Sequence, residues 1–123
     1  MSNNHSQRKR YCLALDLQDD PDLINEYIAY HRPENAWPQI TANMEEVGIL
    51  DMEIYHVADR LFMIMETTLD FNPTALPKTA EGRQKSEEWE ALMWKFQKPL
   101  ACAKPSEKWV PMEKIYDLKQ AIK

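Results

Sequence analysis

The 123-residue sequence predicts a ferredoxin-like α+β sandwich, in which a four-stranded antiparallel sheet carries helices on one face. The main observation is that hydrophobic patterns follow one another in the order strand, helix, strand, strand, helix, strand. The length suits one domain with one core, and no internal repeat interrupts it. We therefore expect a single domain over residues 10–123, preceded by a disordered polar tail over residues 1–9.

The first half of the chain contains one predicted strand and two predicted helices. Tyr11–Leu17 is a short apolar run with the partial alternation of a strand. Asp20 can cap a helix over Pro21–His31, and Pro33 ends that helix because it disfavours helical geometry at the preceding residue. Pro38–Gly48 is predicted as a second helix, since it begins with proline and closes with glycine.

The second half contains a predicted hairpin, a helix and a last strand. Leu50–Val57 and Arg60–Thr67 alternate as two strands around the reversal Ala58-Asp59, although the glycine usual in such turns is missing. Thr79–Gln97 is predicted as a charged helix with one apolar stripe. A last strand is expected within Trp109–Leu118, starting after its proline.

A sheet with helices on one face leaves its other face bare. Here that face would carry side chains such as Tyr55 and Phe62. A contiguous apolar face of this kind usually needs covering in a protein of this size. Pairing of two sheets would cover it, so we predict a homodimer.

Composition excludes several classes of partner and cofactor. The 15 basic and 20 acidic residues give a net charge of −5, which disfavours nucleic-acid binding. No apolar run is long enough for a membrane span, and the polar start lacks a signal-peptide centre, so we expect a cytoplasmic protein. Neither a GxGxxG nor a P-loop pattern is present, and no histidine pair has metal-ligand spacing, so we expect neither a nucleotide cofactor nor a metal. Cys12 and Cys102 are predicted to be free thiols.

Tyr27 and His31 are the first candidates for a functional pair. They are four residues apart on the first helix, so their side chains share a face. A helix C-terminus favours protonated imidazole, and we therefore expect the pKa of His31 to be raised. Spacing alone nevertheless favours a histidine that merely caps the helix.

Carboxylates on strands and a tryptophan off its helix stripe are further candidates. Glu53 and Glu66 lie in the hairpin strands; facing inward, either would need a partner such as a sugar hydroxyl, and facing outward it would be solvated or at a dimer interface. Trp89 and Phe96 fit the helix stripe and are predicted as core. Trp94 lies off that stripe, where its indole could pack on a sugar or in the core.

Several segments in this order resemble the L-rhamnose mutarotase family. The run EYIAYH at Glu26–His31, followed by Trp37-Pro38, is similar to the family's EYxxxH…WP signature. The hairpin segment Met52–Glu66 and the helix segment WEALMWKF at Trp89–Phe96 are also similar. The resemblance spans about residues 10–118 and implies a cofactor-free dimeric α+β barrel that interconverts the α and β anomers of 6-deoxy sugars.

The resemblance also implies roles for individual residues. It gives His31 the position of the family's proton donor and Tyr27 that of a substrate-binding tyrosine. Trp94 matches the second of two adjacent tryptophans that contact the sugar. Met93 stands where the first of those tryptophans would be, and Met52 stands where the rhamnose enzymes have a strand tyrosine.

These departures predict where substrate choice has changed. The loop between His31 and Trp37 is two residues longer than in the family, and with Met52 and Met93 it alters sugar contacts rather than the proton-handling pair. We expect Trp37 and Glu53 to complete the sugar-binding set. With the segments WEALMWKF and LFMIME, these substitutions look more like the L-fucose mutarotase branch of the family, so the resemblance favours L-fucose over L-rhamnose as substrate.

The expected mechanism is general acid–base catalysis of ring opening and closure, which needs no cofactor. His31 would move the main proton. The second proton carrier stays open among Glu53, Glu66 and water. The rival predictions are a small monooxygenase or haem-binding protein on the same dimeric fold, and a non-catalytic sugar-binding or regulatory domain.

Overall fold

An antiparallel sheet backed by helices forms the computed structural model, which describes residues 7–122. The predicted α+β class is confirmed, but the sheet has five strands rather than four. The strands are β1 (Lys9–Leu17), β2 (Ile49–Val57), β3 (Arg60–Thr67), β4 (Gln97–Lys98) and β5 (Val110–Pro111). The helices are α1 (Pro21–Tyr30), α2 (Pro38–Val47), α3 (Ala80–Trp94) and α4 (Leu118–Ile122), with a 3₁₀ turn at Pro33–Asn35.

The sheet order is β2-β3-β1-β4, and β5 pairs with β1. Every pair is antiparallel, and the β1–β3 register runs from Lys9 opposite Thr67 to Asp16 opposite Arg60. Side chains alternate across a strand, so one face of the sheet carries apolar side chains towards the helices. Odd-numbered positions of β1 and β3 supply this inner face, together with Met52 and Ile54 of β2.

The predicted helix boundaries are close to those observed. Asp20 caps α1, and its Oδ1 accepts hydrogen bonds from the N–H groups of Asp22 and Leu23. Gly48 ends α2 with a φ of 103°. A Cβ at that glycine would lie 2.7 Å from Thr68 Oγ1, so another residue would be strained in backbone and in space.

The predicted hairpin is also confirmed. Its turn lacks a glycine because Ala58 takes the backbone conformation that a glycine usually supplies there. Ala58 adopts a φ of 52°, in the left-handed region that the turn requires. An alanine accepts this conformation at a cost that the pairing of β2 with β3 along their full length offsets.

The core lies between the inner face of the sheet and helices α1 and α3. Its fully packed centre consists of five side chains, with Trp89 and Trp109 partly buried against them. Phe96 is completely buried, as predicted, because it follows directly on α3 and packs under Tyr27 and Tyr30. The five central residues are Leu17, Tyr27, Leu61, Met93 and Phe96.

The prediction of a last strand after Pro111 is wrong. Strand β5 ends at Pro111, and residues 112–117 are irregular before α4 begins. Proline has no N–H to donate to a sheet, and the side chains that follow face solvent, with Ile115 89% exposed. The helix predicted to reach Gln97 ends at Trp94, and Gln97 instead opens β4.

The outer face of the sheet is uncovered in the single chain. Tyr55 and Phe62 both lie on it, with ring centroids 6.2 Å apart, and Tyr55 is 53% exposed. The location that was predicted for these two side chains is therefore confirmed.

The start of the chain and the thiols complete the fold. Strand β1 begins at Lys9, inside the predicted tail, and Arg8 pairs with Glu66; residues 1–6 of that tail lie outside the described residues. Cys12 and Cys102 are free, as predicted. None of the described helices has the length and apolar character needed to span a membrane.

Candidate active site

A cavity of about 620 Å³ opens between the inner face of the sheet and helices α1 and α3. Its wall is mostly apolar, and five of the seven methionines of the chain line it. Thioether side chains are flexible and fill irregular space, whereas a few polar groups set the orientation of a ligand. Within the described part of the chain, the titratable and amide side chains on the wall are those of Tyr11, Tyr27, His31, Glu90 and Gln97.

The last turn of α1 brings Tyr27 and His31 together, as their spacing predicted. Their ring centroids are 4.4 Å apart, and both side chains line the cavity. His31 Nδ1 lies 2.8 Å from the backbone carbonyl oxygen of Tyr27. Because a carbonyl oxygen can only accept a hydrogen bond, Nδ1 carries the proton in the neutral imidazole. Nε2 is then left with a free lone pair, so His31 can act as a base.

The expectation of a raised pKa for His31 is wrong. Although the residue is exposed at the cavity mouth, its ring packs against Tyr27 and Trp89, and this desolvation lowers its pKa. The hydrogen bond to the Tyr27 carbonyl acts in the opposite direction but is the smaller cause. At neutral pH the imidazole is therefore unprotonated.

This lowered pKa predicts a pH-dependent loss of stability. Between the lowered pKa and the ordinary value of about 6.5, the unfolded state binds more protons at His31 than the folded state. The free energy of unfolding should therefore fall as the pH drops from about 6.5 through that window. Urea unfolding from about pH 7 to about pH 5 should show a steeper decline for the wild type than for His31→Asn. Parallel curves for the two proteins would contradict the assignment.

Tyr27 is the buried member of the pair. It is 3% exposed, and its hydroxyl oxygen accepts a hydrogen bond of 3.2 Å from Gln97 Nε2. Burial raises the pKa of Tyr27 to about 12, opposed by the Gln97 hydrogen bond and assisted by the charge of Glu90. The phenol stays protonated at neutral pH, and its own O–H is free to donate into the cavity.

Aromatic rings in edge-to-face contact pack against His31. Trp89 contacts the imidazole with a centroid distance of 5.6 Å, and Trp37 contacts Trp89 at 5.0 Å. Lys85 Nζ lies 5.4 Å from the Trp37 ring centroid. Trp37 thus packs on Trp89, and Trp89 lies between Trp37 and His31. Trp89, which was predicted as core, is half-buried and lines the cavity itself.

The other predicted sugar-binding residues divide into two groups. Met52 and Met93 line the cavity, on the sheet and on α3 respectively. Trp94 follows Met93 by one residue and therefore points about 100° away. It is 42% exposed, with Lys108 Nζ 4.8 Å above its ring. A sugar-binding role for Trp94 stays a prediction, since the ring does not line the cavity of the single chain.

Glu53 and Glu66 lie on the outer face of the sheet. Met52 and Ile54 point into the cavity, so the strand alternation turns Glu53 outward, where it accepts a hydrogen bond of 3.0 Å from the Tyr55 hydroxyl. Glu66 pairs with Arg8 and Arg10. Within one chain neither carboxylate reaches the cavity, and the role of Glu53 in sugar binding stays a prediction.

Sequence reasoning missed most of the other residues that line the cavity, among them Glu90, Gln97 and Trp109. Glu90 belongs to a charged helix, where it resembles a solvated side chain, and its Oε2 pairs with Lys108 Nζ at 2.9 Å. Gln97 was assigned to a helix end instead of a strand. Trp109 was assigned to a strand, but it lies directly before the short β5, which ends at the proline two residues later. In the sequence, the available signal for Gln97 was an amide side chain directly after the apolar helix stripe.

Comparisons with known proteins show the family of the chain. The family model described as L-rhamnose mutarotase matches residues 10–118. An L-fucose mutarotase of Xanthomonas campestris pv. campestris is 40% identical over 114 residues, which cover 93% of this chain and 91% of the relative. A UPF0734 protein of Dictyostelium discoideum is 38% identical, with 89% of this chain and 90% of that protein covered. The chain belongs to the L-rhamnose mutarotase family.

Proposed function

We propose that the chain is a cofactor-free mutarotase that interconverts the α and β anomers of a 6-deoxy-L-hexose, preferring L-fucose to L-rhamnose. The observation that carries this proposal is a neutral His31 with a free Nε2 lone pair, next to a protonated Tyr27 on the same cavity wall. The cavity volume of about 620 Å³ lies within the usual range for small-molecule sites. The Xanthomonas relative, an L-fucose mutarotase, supports the choice of sugar.

The first half of the reaction is ring opening. His31 Nε2 takes the proton of the anomeric hydroxyl, and the electrons of that O–H bond form the carbonyl of the open aldehyde. The bond between the anomeric carbon and the ring oxygen breaks, and the ring oxygen receives a proton from a second group. Rotation of the aldehyde and the reverse sequence close the ring with the other configuration. Such general acid–base help contributes about 10²–10⁴-fold to a rate.

Tyr27 is the group we propose for the second proton. Gln97 occupies an acceptor position of its oxygen, so the phenol O–H is directed to another partner. Glu90 is the carboxylate among the described cavity residues, but it is exposed and paired with Lys108. Glu53 and Glu66 would need to act from another chain, since both lie on the outer face.

Anomer exchange measured by NMR saturation transfer tests the function. L-Fucose and L-rhamnose should both exchange faster with the protein than without it, and L-fucose should show the larger kcat/KM. Sugar binding without faster exchange would contradict the proposal and identify a non-catalytic sugar-binding domain. A Soret band in the purified protein would instead support a haem-binding member of the same fold.

We also propose that the fold is ferredoxin-like. We further propose that the protein is cytoplasmic and that two copies pair through the outer face of the sheet. The strand order β2-β3-β1-β4 with helices on one face supports the first part. An apolar groove on the outer face, formed around Ala14, Tyr55, Phe62 and Met112, supports the second. In a dimer this surface would be removed from water.

Replacing Phe62 with glutamate should weaken that dimer. A charge in the centre of an apolar interface is expected to raise the dissociation constant by about 30-fold or more. Sedimentation velocity over a range of concentrations would measure the change. Leu76→Glu is the matched control, because Leu76 is 70% exposed and lies beside the C-terminal end of α2, away from this face. Equal dissociation constants for the two variants would contradict the proposed interface.

A further inference from the structure

Gln97 is a buried polar side chain of which the proposed chemistry uses only the end that contacts Tyr27. It opens β4 and is 3% exposed, yet it lines the cavity. The position of its backbone is fixed by pairing with Leu17 of β1 and by a hydrogen bond of 3.2 Å that the backbone carbonyl oxygen of Gln97 accepts from Gln18 Nε2. A rigid amide is therefore held against an otherwise largely apolar wall.

The fold satisfies one end of this amide and leaves the other end unpaired. Nε2 donates to the Tyr27 hydroxyl at 3.2 Å, while Oε1 has no hydrogen-bond partner among residues 7–122. Turning the amide over would pair Oε1 with the phenol and leave Nε2 without a partner instead. In either orientation the cavity wall contains a buried polar atom that the protein does not satisfy, which is uncommon in native folds.

We propose that the unpaired end of the Gln97 amide binds one hydroxyl group of the sugar, so that Gln97 is a specificity-determining residue of the cavity. This inference rests on the proposed mutarotase function. A sugar hydroxyl both donates and accepts hydrogen bonds, so it satisfies the amide in either orientation. An apolar group at the same position would leave the amide unpaired, and a site built in this way rejects analogues that lack the hydroxyl.

The contacts of Gln97 also connect sugar binding to Tyr27 and His31, the pair proposed to move protons. Gln97 contacts the Tyr27 hydroxyl, and Tyr27 stacks on His31. A sugar held by the free end of the amide would therefore be placed next to the phenol as well. Gln97 touches substrate in this proposal but moves no proton.

The test compares wild type, Gln97→Met and Gln84→Met on L-fucose and on the three analogues of L-fucose that each lack one non-anomeric ring hydroxyl. Methionine matches glutamine in length without offering the amide. In wild type, one analogue should lose about 5- to 150-fold more kcat/KM for anomer exchange than the other two. Gln97→Met should remove that difference, whereas Gln84→Met, which loses an exposed amide of α3 outside the cavity, should keep it.

Two outcomes would overturn the inference. One is an equal loss for all four sugars in Gln97→Met, which is the behaviour of a residue with a structural role. The other is a wild type that treats the three analogues alike. Absence of exchange by wild type on both L-fucose and L-rhamnose would instead overturn the proposed function.

A second measurement needs no variant and therefore does not depend on the folding of Gln97→Met. The side-chain amide NMR signals of Gln97 in wild type should shift when the protein is saturated with L-fucose. The shift should be absent with the analogue that lacks the recognised hydroxyl. Identical spectra with L-fucose and with all three analogues would contradict a direct contact.

Discussion

Replacing His31 with asparagine is expected to lower the rate of anomer exchange by about 10²–10⁴-fold while leaving the protein folded. The neutral imidazole is the base in the proposed reaction, and an asparagine amide cannot accept a proton at neutral pH. The fold should survive because His31 is exposed and follows the last residue of α1. Saturation-transfer NMR gives the exchange rate, and thermal unfolding gives the stability.

A second histidine of the chain provides the control. His56 lies at the exposed end of β2 and does not line the cavity. His56→Asn should therefore retain wild-type exchange. An exchange rate near wild type in His31→Asn, or equal losses in the two variants, would exclude His31 as the base.

Replacing Tyr27 with phenylalanine should have the second-largest effect. The variant keeps the ring that packs on His31 and Phe96 but removes the hydroxyl. We expect anomer exchange to fall by about 10²-fold, since the proposed donor to the ring oxygen is lost. The free energy of unfolding should also fall, by about 1–3 kcal/mol, because the buried Gln97 amide loses its partner.

Tyr30→Phe is the matched control for this change. Tyr30 lies three residues along α1 and packs on Trp89 and Phe96, but it is not a cavity residue. Its variant should keep both exchange and stability near wild type. Glu90→Gln, compared under the same conditions, separates the two proton donors: a larger loss than in Tyr27→Phe would assign the second proton to Glu90.

Local patterns predicted most of the fold and the centre of the site. Caps, prolines and alternation act within a few residues, so the bounds of α1 and α2 and the hairpin were recovered almost to the residue. The Tyr27–His31 pair belongs to the same class, since both side chains lie on one turn of one helix. What they do together came from resemblance, because a four-residue spacing does not distinguish a base from a helix cap.

Features that depend on contacts between distant segments could not be predicted in this way. The pKa of His31 is lowered mainly by burial, to which the contact with Trp89, far along the chain, contributes, and the helix end on which the expectation rested does not decide it. Gln97 reaches the cavity because its strand pairs with Leu17. Glu53 faces outward because its neighbours along the strand are the ones that become buried, and alternation then places Glu53 on the opposite face of the sheet.

The hydrogen bond between His31 Nδ1 and the Tyr27 carbonyl has a consequence for how such enzymes diverge. The bond is made within one turn of α1, so the reactive tautomer is encoded by a contiguous segment and needs no help from the sheet. The residues that shape the sugar side of the cavity, such as Met52 and Met93, lie on other elements. Mutation can therefore alter those elements and change the preferred sugar while the residue proposed as the base keeps its tautomer.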